Sequence, residues 1–381
     1  MYKGKLAYIE KLTPRFAPVR FGKEIDGSSP PGIFIGRFGY PNVFVGPLVT
    51  PQKGDTTLLD TPEAWLGTAH SAMDIATFRM SLCRGMQRVG ITDLGARMVG
   101  QMRDIALSRD SLATQAAFKR EPRGYAFNDD HQPFGPSAPL ASLELDNARY
   151  EHHMEKAHYD TDLKANEAMI NLYDKGLLIS HVQKAFSVGA FGRSRSRRLV
   201  PTRWSITAVD DILGKHLLEE VKHYPVLDRY LVFEHTVLNN RFVILLMPEQ
   251  WRYEFLEAFI HVLGNEELLF SDHESYGGRK NYAQIGGCYY STRLALAEKL
   301  QALQKQAGAI VFRESYPGYV PLGVWLVRET ARTALRATPH EFTDKESALM
   351  HIAQRLAIRF WKYKKESALL AERNLLSFLK H

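Results

Sequence analysis

The side chains best suited to chemistry in this chain are the five arginines of SVGAFGRSRSRRLVPTRWSITAVDD, residues 187–211. Arg193, Arg195, Arg197, Arg198 and Arg203 lie between glycine turns and the start of a helix. A guanidinium is a planar fork of donors that matches phosphate oxygens. Gly189 and Gly192 let backbone bend and approach a ligand closely, and Ser194, Ser196, Thr202 and Ser205 add hydroxyls. Thr207 reads as an N-cap, with Asp210 three residues on closing a capping-type box. A helix N-terminus behind such a loop attracts anions. Ordinary surfaces mix charge signs, and this segment has no acid before Asp210. The expectation is phosphate binding; the alternative is a solvated basic linker.

Two further clusters have similar chemistry. In SYGGRKNYAQ, residues 275–284, glycine turns accompany Arg279 and Lys280. A helix then begins near Gly287 and carries Tyr289, Tyr290 and Arg293 in its first turns. Basic and aromatic side chains together suit phosphates and stacked bases. Adjacent helical residues point about 100° apart, so one tyrosine is expected in the core and the other, Tyr289, at the ligand. In GRFGYP, residues 36–41, Arg37 and Tyr40 project from a turn between two short strands. They form either a plain hairpin tip or a second polar lip.

Four acids are candidates for catalysis: Asp210, Asp211, Glu234 and Glu274. Two or three of them meeting would suggest a phosphodiesterase that uses magnesium or manganese; without such a meeting no cofactor is indicated. Asp210 and Asp211 also suit a helix start. Glu234 beside His235 also suits the solvent face of an edge strand. Asp129, Asp130 and His131 read as a polar turn. His152 and His153 are adjacent and diverge on a helix.

Composition narrows the class. With 45% hydrophobic and 24% charged residues, the 381-residue chain is of globular type. Its length suggests two domains or one elaborated domain. The net charge of +7 is compatible with nucleic acid. Two cysteines outside any CxxC argue against a disulfide framework and a cysteine zinc site. No apolar run reaches membrane-spanning length, and MYKGKLAYIEKL lacks the apolar centre of a signal peptide. The expected compartment is the cytoplasm, with no membrane partner.

The elements that must position these groups read as follows. Ile33–Ile35 and Val43–Val45 are short strands. Residues 62–120 read as helical, with helices over Ala72–Arg84 and Asp93–Ser108. Residues 119–146 form a long proline-containing loop. Asp160–Lys175 is an amphipathic helix closed by Gly176, and LLISHV is strand-like. A helix runs from about 208 to 222, and residues 230–247 form a hairpin turning at Asn239-Asn240. Pro248 opens a helix reaching Val262. Ala309–Glu314 and Val324–Val327 are strands, and a helix runs from Asp344 to Lys364. The sum is an α+β protein with a mostly antiparallel or mixed sheet flanked by helices. Expected divisions are an N-terminal hairpin and helical subdomain (1–120), the loop (121–146), a main domain (147–370) and a terminal peptide (371–381).

That peptide has its own logic. Glu372, Leu375, Phe378 and Leu379 follow the spacing Q-x-x-L-x-x-F-F, with Glu in the Gln place and Leu in the last aromatic place. Leu375, Phe378 and Leu379 make one apolar face on a helical turn, as in a peptide that binds the sliding clamp (PCNA).

The blocks SSPPGIFIGRFGYPNVFVGPL, RRLVPTRWSITAVDD, YGGRKNYAQIGGCYYSTRLALAEKL and PLGVWLVRETAR resemble those of the archaeal Nre DNA-repair proteins. The resemblance runs from about residue 28 to the C-terminus. It implies a role in DNA-damage repair and a clamp-binding C-terminal peptide. Some members carry an N-terminal cysteine zinc motif, which this chain lacks. The resemblance implies no reaction mechanism. The resulting expectation is a repair factor that binds DNA through its arginine loops and is recruited by the clamp. The alternatives are a metal-dependent nuclease, or other enzyme acting on nucleic acid or nucleotides, and a non-catalytic scaffold at the clamp.

Overall fold

The computed structural model describes Tyr8 and residues 19–68, 71–125, 127 and 131–371. The chain forms two compact units. One is built on Pro14–Leu213 with Pro321–Leu326, the other on Gly214–Val320 and the chain from Val327 onward. We call them the N-terminal and C-terminal units. The division at 213/214 falls inside a helix rather than in a linker.

The N-terminal unit opens with strands β1 (Glu24–Ser29), β2 (Ile33–Ile35) and β3 (Asn42–Val49), then helices α1 (Pro62–Thr68) and α2 (Ala72–Met80). Ser71 caps α2 in a reciprocal box with Asp74. Next come β4 (Cys83–Gly90), α3 (Arg97–Leu107), β5 (Leu112–Phe118) and β6 (Ser137–Leu145). Helices α4 (His152–Tyr159), α5 (Ala165–Asp174) and α6 (Ile179–Ser187) lead to the long α7 (Thr202–Val221). The sheet has the order β1-β5-β6-β4-β3-β2 and is antiparallel except for the β4–β6 pair.

The C-terminal unit carries β7 (Tyr230–Val237), β8 (Asn240–Met247), β9 (Arg252–Ile260) and β10 (Glu267–Glu274). Then follow α8 (Gly287–Leu303), β11 (Gly308–Ser315), α9 (Val324–Arg336), β12 (His340–Phe342), α10 (Lys345–Ala353), α11 (Phe360–Glu366) and α12 (Ala368–Ala371). Its sheet has the order β10-β9-β11-β8-β7-β12, with β11 and β9 parallel and the other pairs antiparallel. Both sheets are mixed, and the chain is of the α+β class. One face packs Val243, Leu245, Leu256, Ile310 and Phe312 under Ala348 and Ile352 of α10, Tyr363 of α11 and Leu369 of α12. Next to α8, Tyr253 of β9 donates its hydroxyl to the Tyr289 carbonyl.

Two buried carboxylates fasten the last helices. Glu314 accepts from the amides of Ala357 and Ile358 and from the Tyr363 hydroxyl, at 2.9–3.0 Å. Glu254 accepts from the amides of Ala368 (2.8 Å) and Leu369 (3.1 Å) and from the Ser367 hydroxyl. Glu254 stands in for missing partners at the start of α12, and Glu314 holds the segment that leads into α11.

Several expected elements differ. LLISHV leads into α6 instead of forming a strand, and Val324–Val327 opens α9. The expected 248–262 helix is β9. The all-helical span 62–120 contains β4 and β5, and the 119–146 loop contains β6. α7 begins at Thr202, so Thr207 lies inside the helix and caps nothing. The terminal helix is broken into α10 and α11. The hairpin turns at Leu238 and Asn239, both in left-handed conformation, one residue before the expected pair.

Candidate nucleic-acid interface

The arginine loop is a closed structure. Ser187, at the end of α6, and Val200 bond backbone to backbone at 2.8 Å, and the Ser187 hydroxyl donates to the Val200 carbonyl at 2.6 Å. Inside lie buried Ala190, Phe191 and Leu199, with Phe191 stacked on Phe186 at 6.1 Å. Gly189 has φ 66°, and a side chain there would meet the Arg198 carbonyl at 2.7 Å. The loop therefore needs glycine at that position. With its apolar residues turned inward, the arginines face out. Arg193, Arg195 and Arg198 are exposed and make no ion pair among the described residues.

Arg197 differs. Its Nε donates to the Gly192 carbonyl (2.6 Å) and its Nη2 to the Asp160 carbonyl (2.8 Å). Burial pulls its pKa down, helped by nearby Arg103. Arg197 is thus used to hold the loop. Beside the loop is a cavity of about 530 Å³, lined by Lys164, Gly192, Arg193, Ser196, Arg197 and Arg198, among others. Its volume suits a drug-sized or nucleotide-sized ligand.

Pro201 ends the loop and α7 begins. The Thr202 hydroxyl accepts from the Ile35 amide at 2.9 Å, which ties the start of α7 to β2. In the next positions Arg203 is half-buried and Trp204 is 44% exposed. The Trp204 ring lies 5.2 Å from that of Tyr40, at the β2–β3 turn. That turn also exposes Phe38 (76%) and Phe44 (41%). The Arg37 guanidinium lies 5.1 Å over the Phe38 ring, and exposed Arg88 on β4 stands opposite Phe44. Four exposed aromatic rings interleaved with arginines are the composition of a base-stacking surface. Monomeric proteins rarely leave this much aromatic surface to solvent without a use.

The ground beneath is positive. The Arg84 guanidinium sits 4.4 Å over Phe34 and 4.9 Å over Phe134. Burial lowers its pKa to about 10, and its Nε is buried without a hydrogen-bond partner. Burial also pushes His131 down to about 4, against a backbone bond to Gln132, with Arg84, Arg79 and Arg203 adding repulsion. Asp60 answers two cations: it pairs with Arg79 and, at 3.1 Å, with Lys184.

The second basic cluster, in the C-terminal unit, is built differently. Arg279 pairs with Asp272 at 2.8 Å and donates to the His273 carbonyl at 2.7 Å. Arg293 is buried against Glu274 at 3.0 Å. Tyr289 and Tyr290 are both buried, so the expected division of one inward and one outward ring is not seen. Tyr289 and Arg293 support this cluster from within, and Lys280 is its exposed cation.

The candidate acids are held apart or held by partners. Asp210 is buried and accepts from Gln183 at 3.2 Å; Asp211 follows it in α7. Glu274 accepts from Trp251 and from Arg293. Glu234, on β7, is bonded by Arg355 at 3.2 Å. β7 and β10 are four positions apart in their sheet, so the strands of Glu234 and Glu274 lie roughly 19 Å apart across it. Asp210, Asp211 and Glu274 belong to no group of three metal-ligating side chains among the described residues. Glu372, Leu375, Phe378 and Leu379 lie outside the described residues. No described helix is long and apolar enough to cross a membrane.

Sequence reasoning did not single out Trp204, Phe38, Phe44, Arg84 or Arg88 as site residues. The interleaved pattern RFGYPNVF was the available signal.

A family model described as "Archaeal Nre, N-terminal" matches residues 6–262, and one described as "Archaeal Nre, C-terminal" matches residues 274–378. The chain is 39% identical to "DNA repair protein NreB" of Archaeoglobus fulgidus over 99% of its length and 98% of the relative's. It is 34% identical to "DNA repair protein NreA" of the same organism, over 94% of each chain. It is 31% identical to "DNA repair protein NreA" of Haloferax volcanii, over 97% of this chain and 91% of that one. No solved structure matches.

Proposed function

Because the chain belongs to the archaeal Nre family, we propose that it is a DNA-repair factor that binds single-stranded or damaged DNA. The exposed arginines Arg37, Arg193, Arg195 and Arg198 and the half-buried Arg203 take phosphates, with Arg88 beside them. The rings of Phe38, Tyr40, Phe44 and Trp204 stack bases. In the C-terminal unit, Lys280 offers a further phosphate contact, with Arg279 held beside it by Asp272. Damaged or unpaired bases leave a duplex most easily, so a surface for unstacked bases suits repair. The observation that carries the reading is the Tyr40–Trp204 contact. It joins the β2–β3 turn to the start of α7, immediately after the arginine loop. The C-terminal peptide, through Glu372, Leu375, Phe378 and Leu379, docks on the sliding clamp and brings the protein to its substrate.

Fluorescence anisotropy with a labelled single strand, measured across a salt series, tests the DNA reading. Each lost phosphate contact lowers the log–log salt slope by about 0.7. Arg193→Ala/Arg195→Ala/Arg198→Ala should therefore flatten it by about 2. Arg197 is left in place because it holds the loop. Trp204→Ala should weaken binding by about 1–3 kcal/mol without changing the slope, because stacking is not ionic. An unchanged slope in the triple variant would sink the loop as the phosphate site.

A further inference from the structure

We propose that Glu234, His340 and His351 form a site for a divalent transition-metal ion of the zinc class. The three residues come from β7, β12 and α10, more than a hundred positions apart at the extremes. Each offers one ligand atom, and these atoms lie within 4.8 Å of one another. The register explains the meeting. His340 stands opposite Val232 on β7, and Glu234 is two residues from Val232, on the same face of the strand. α10 packs over this face and brings the His351 ring to 4.4 Å from that of His340. His235, next to Glu234, points to the other face and takes no part.

Chemistry selects the ion. Two imidazoles and one carboxylate are nitrogen-rich donors that suit zinc, cobalt or nickel; magnesium prefers an all-oxygen shell. At zinc–ligand distances of about 2.1 Å, tetrahedral donors stand about 3.4 Å apart. Rotation of the side chains supplies the contraction, since His340 is 50% exposed and Glu234 33%. The Nε2 of His351 is buried and has no hydrogen-bond partner, an unmet requirement in this cluster. Burial, Arg355 and His340 pull the His351 pKa down, and Glu234 pulls it up. Arg355 is the competitor. Its Nε bonds Glu234 at 3.2 Å, the position a metal would take from it. The ion fastens the short edge strand β12 and α10 to β7, and three protein ligands leave a fourth position for water or a partner's side chain.

The test uses metal-stripped full-length protein titrated with zinc chloride by calorimetry and with cobalt chloride by absorption. One ion should bind per chain, with intense cobalt bands of low-coordinate geometry. His340→Ala and His351→Ala should each weaken binding at least tenfold, and Arg355→Gln should strengthen it. The paired variant His152→Ala/His153→Ala, at the adjacent histidines of α4, should bind as the parent does. His340 is half-exposed, so its variant keeps the fold, which circular dichroism checks. No uptake by the parent protein, or full affinity in His340→Ala, overturns the assignment.

Discussion

Arg293 and Arg195 sit in stretches that read alike, each with glycine turns, further basic residues and a helix close by. In space they have opposite surroundings. Arg293 is 1% exposed and bonded to Glu274 inside the C-terminal unit. Arg195 stands on a loop whose apolar residues are buried beneath it, with no carboxylate bonded to it. The same contrast holds for neighbours. Arg313 is buried against Glu257, and Arg332 bonds both Glu298 and Glu329. Arg193, Arg198, Arg37 and Arg88 face solvent. Charge type and spacing therefore do not separate a binding arginine from a structural one. What separates them is whether a carboxylate has already taken the guanidinium.

The sharpest way to break this comparison is to delete one arginine from each region. Arg293→Ala leaves Glu274 buried without its cation, which typically costs about 3–5 kcal/mol. Arg195→Ala on the loop should stay within about 0.5 kcal/mol. Differential scanning calorimetry of the two variants reads the difference directly. Equal losses would mean that the loop arginines are structural too, and the phosphate reading would lose its basis.

This contrast also shows why parts of the fold were readable in the sequence. β11 and α8 were placed well because Gly308 and Gly287 bound clear apolar runs. β9 was mistaken for a helix because its residues from Tyr253 to Ile260 are buried on both faces. A strand covered on both sides loses the two-residue alternation that marks it. Val324–Val327 reads as a strand in sequence because a short apolar run fits either state. In the site, the arginine loop was visible as composition. The Trp204 platform was not, since an aromatic residue is ordinarily assigned to the core. Glu234, His340 and His351 meet only through β-sheet register and the packing of α10, which no local spacing encodes.

A second, smaller effect concerns pH and the positive ground of the N-terminal unit. His131 and His181 have folded pKa values pushed down to about 4, mainly by burial. Unfolded imidazoles take a proton near 6.5. Between about pH 6.5 and 4 the unfolded chain thus binds protons that the folded chain refuses. Stability from these groups is complete above 6.5 and declines as pH falls toward 4, after which they add no further loss. His181 contacts the Ala106 carbonyl through Nε2 at 2.9 Å, and glutamine at 181 keeps a donor without the titration. Urea midpoints at pH 7 and pH 4.5 should differ less for His181→Gln than for the parent. An identical difference would show that this histidine is ionised in the fold.

The smallest expected effect on stability belongs to Phe378, and it separates the tail from everything it follows. Ser367, Ala368 and Leu369 are fastened to the C-terminal unit. Glu254, fully buried, accepts from the amides of Ala368 and Leu369; Leu369 belongs to the core cluster and Leu370 packs against it. The apolar triad Leu375, Phe378 and Leu379 follows in the sequence, outside the described residues. A helical turn with three apolar side chains on one face gains most by entering a pocket on another protein, about 1.5–3 kcal/mol per side chain before the cost of ordering. Micromolar affinity for the clamp is the expected result. Phe378→Ala should remove clamp binding, measured by calorimetry with purified sliding clamp, and should leave the melting temperature and single-strand affinity unchanged. Leu369→Ala, on the anchored side, should instead cost about 2–5 kcal/mol as a buried leucine in the core. If Phe378→Ala lowered the melting temperature as Leu369→Ala does, the terminal face would belong to the core and the clamp-docking role of the tail would fail.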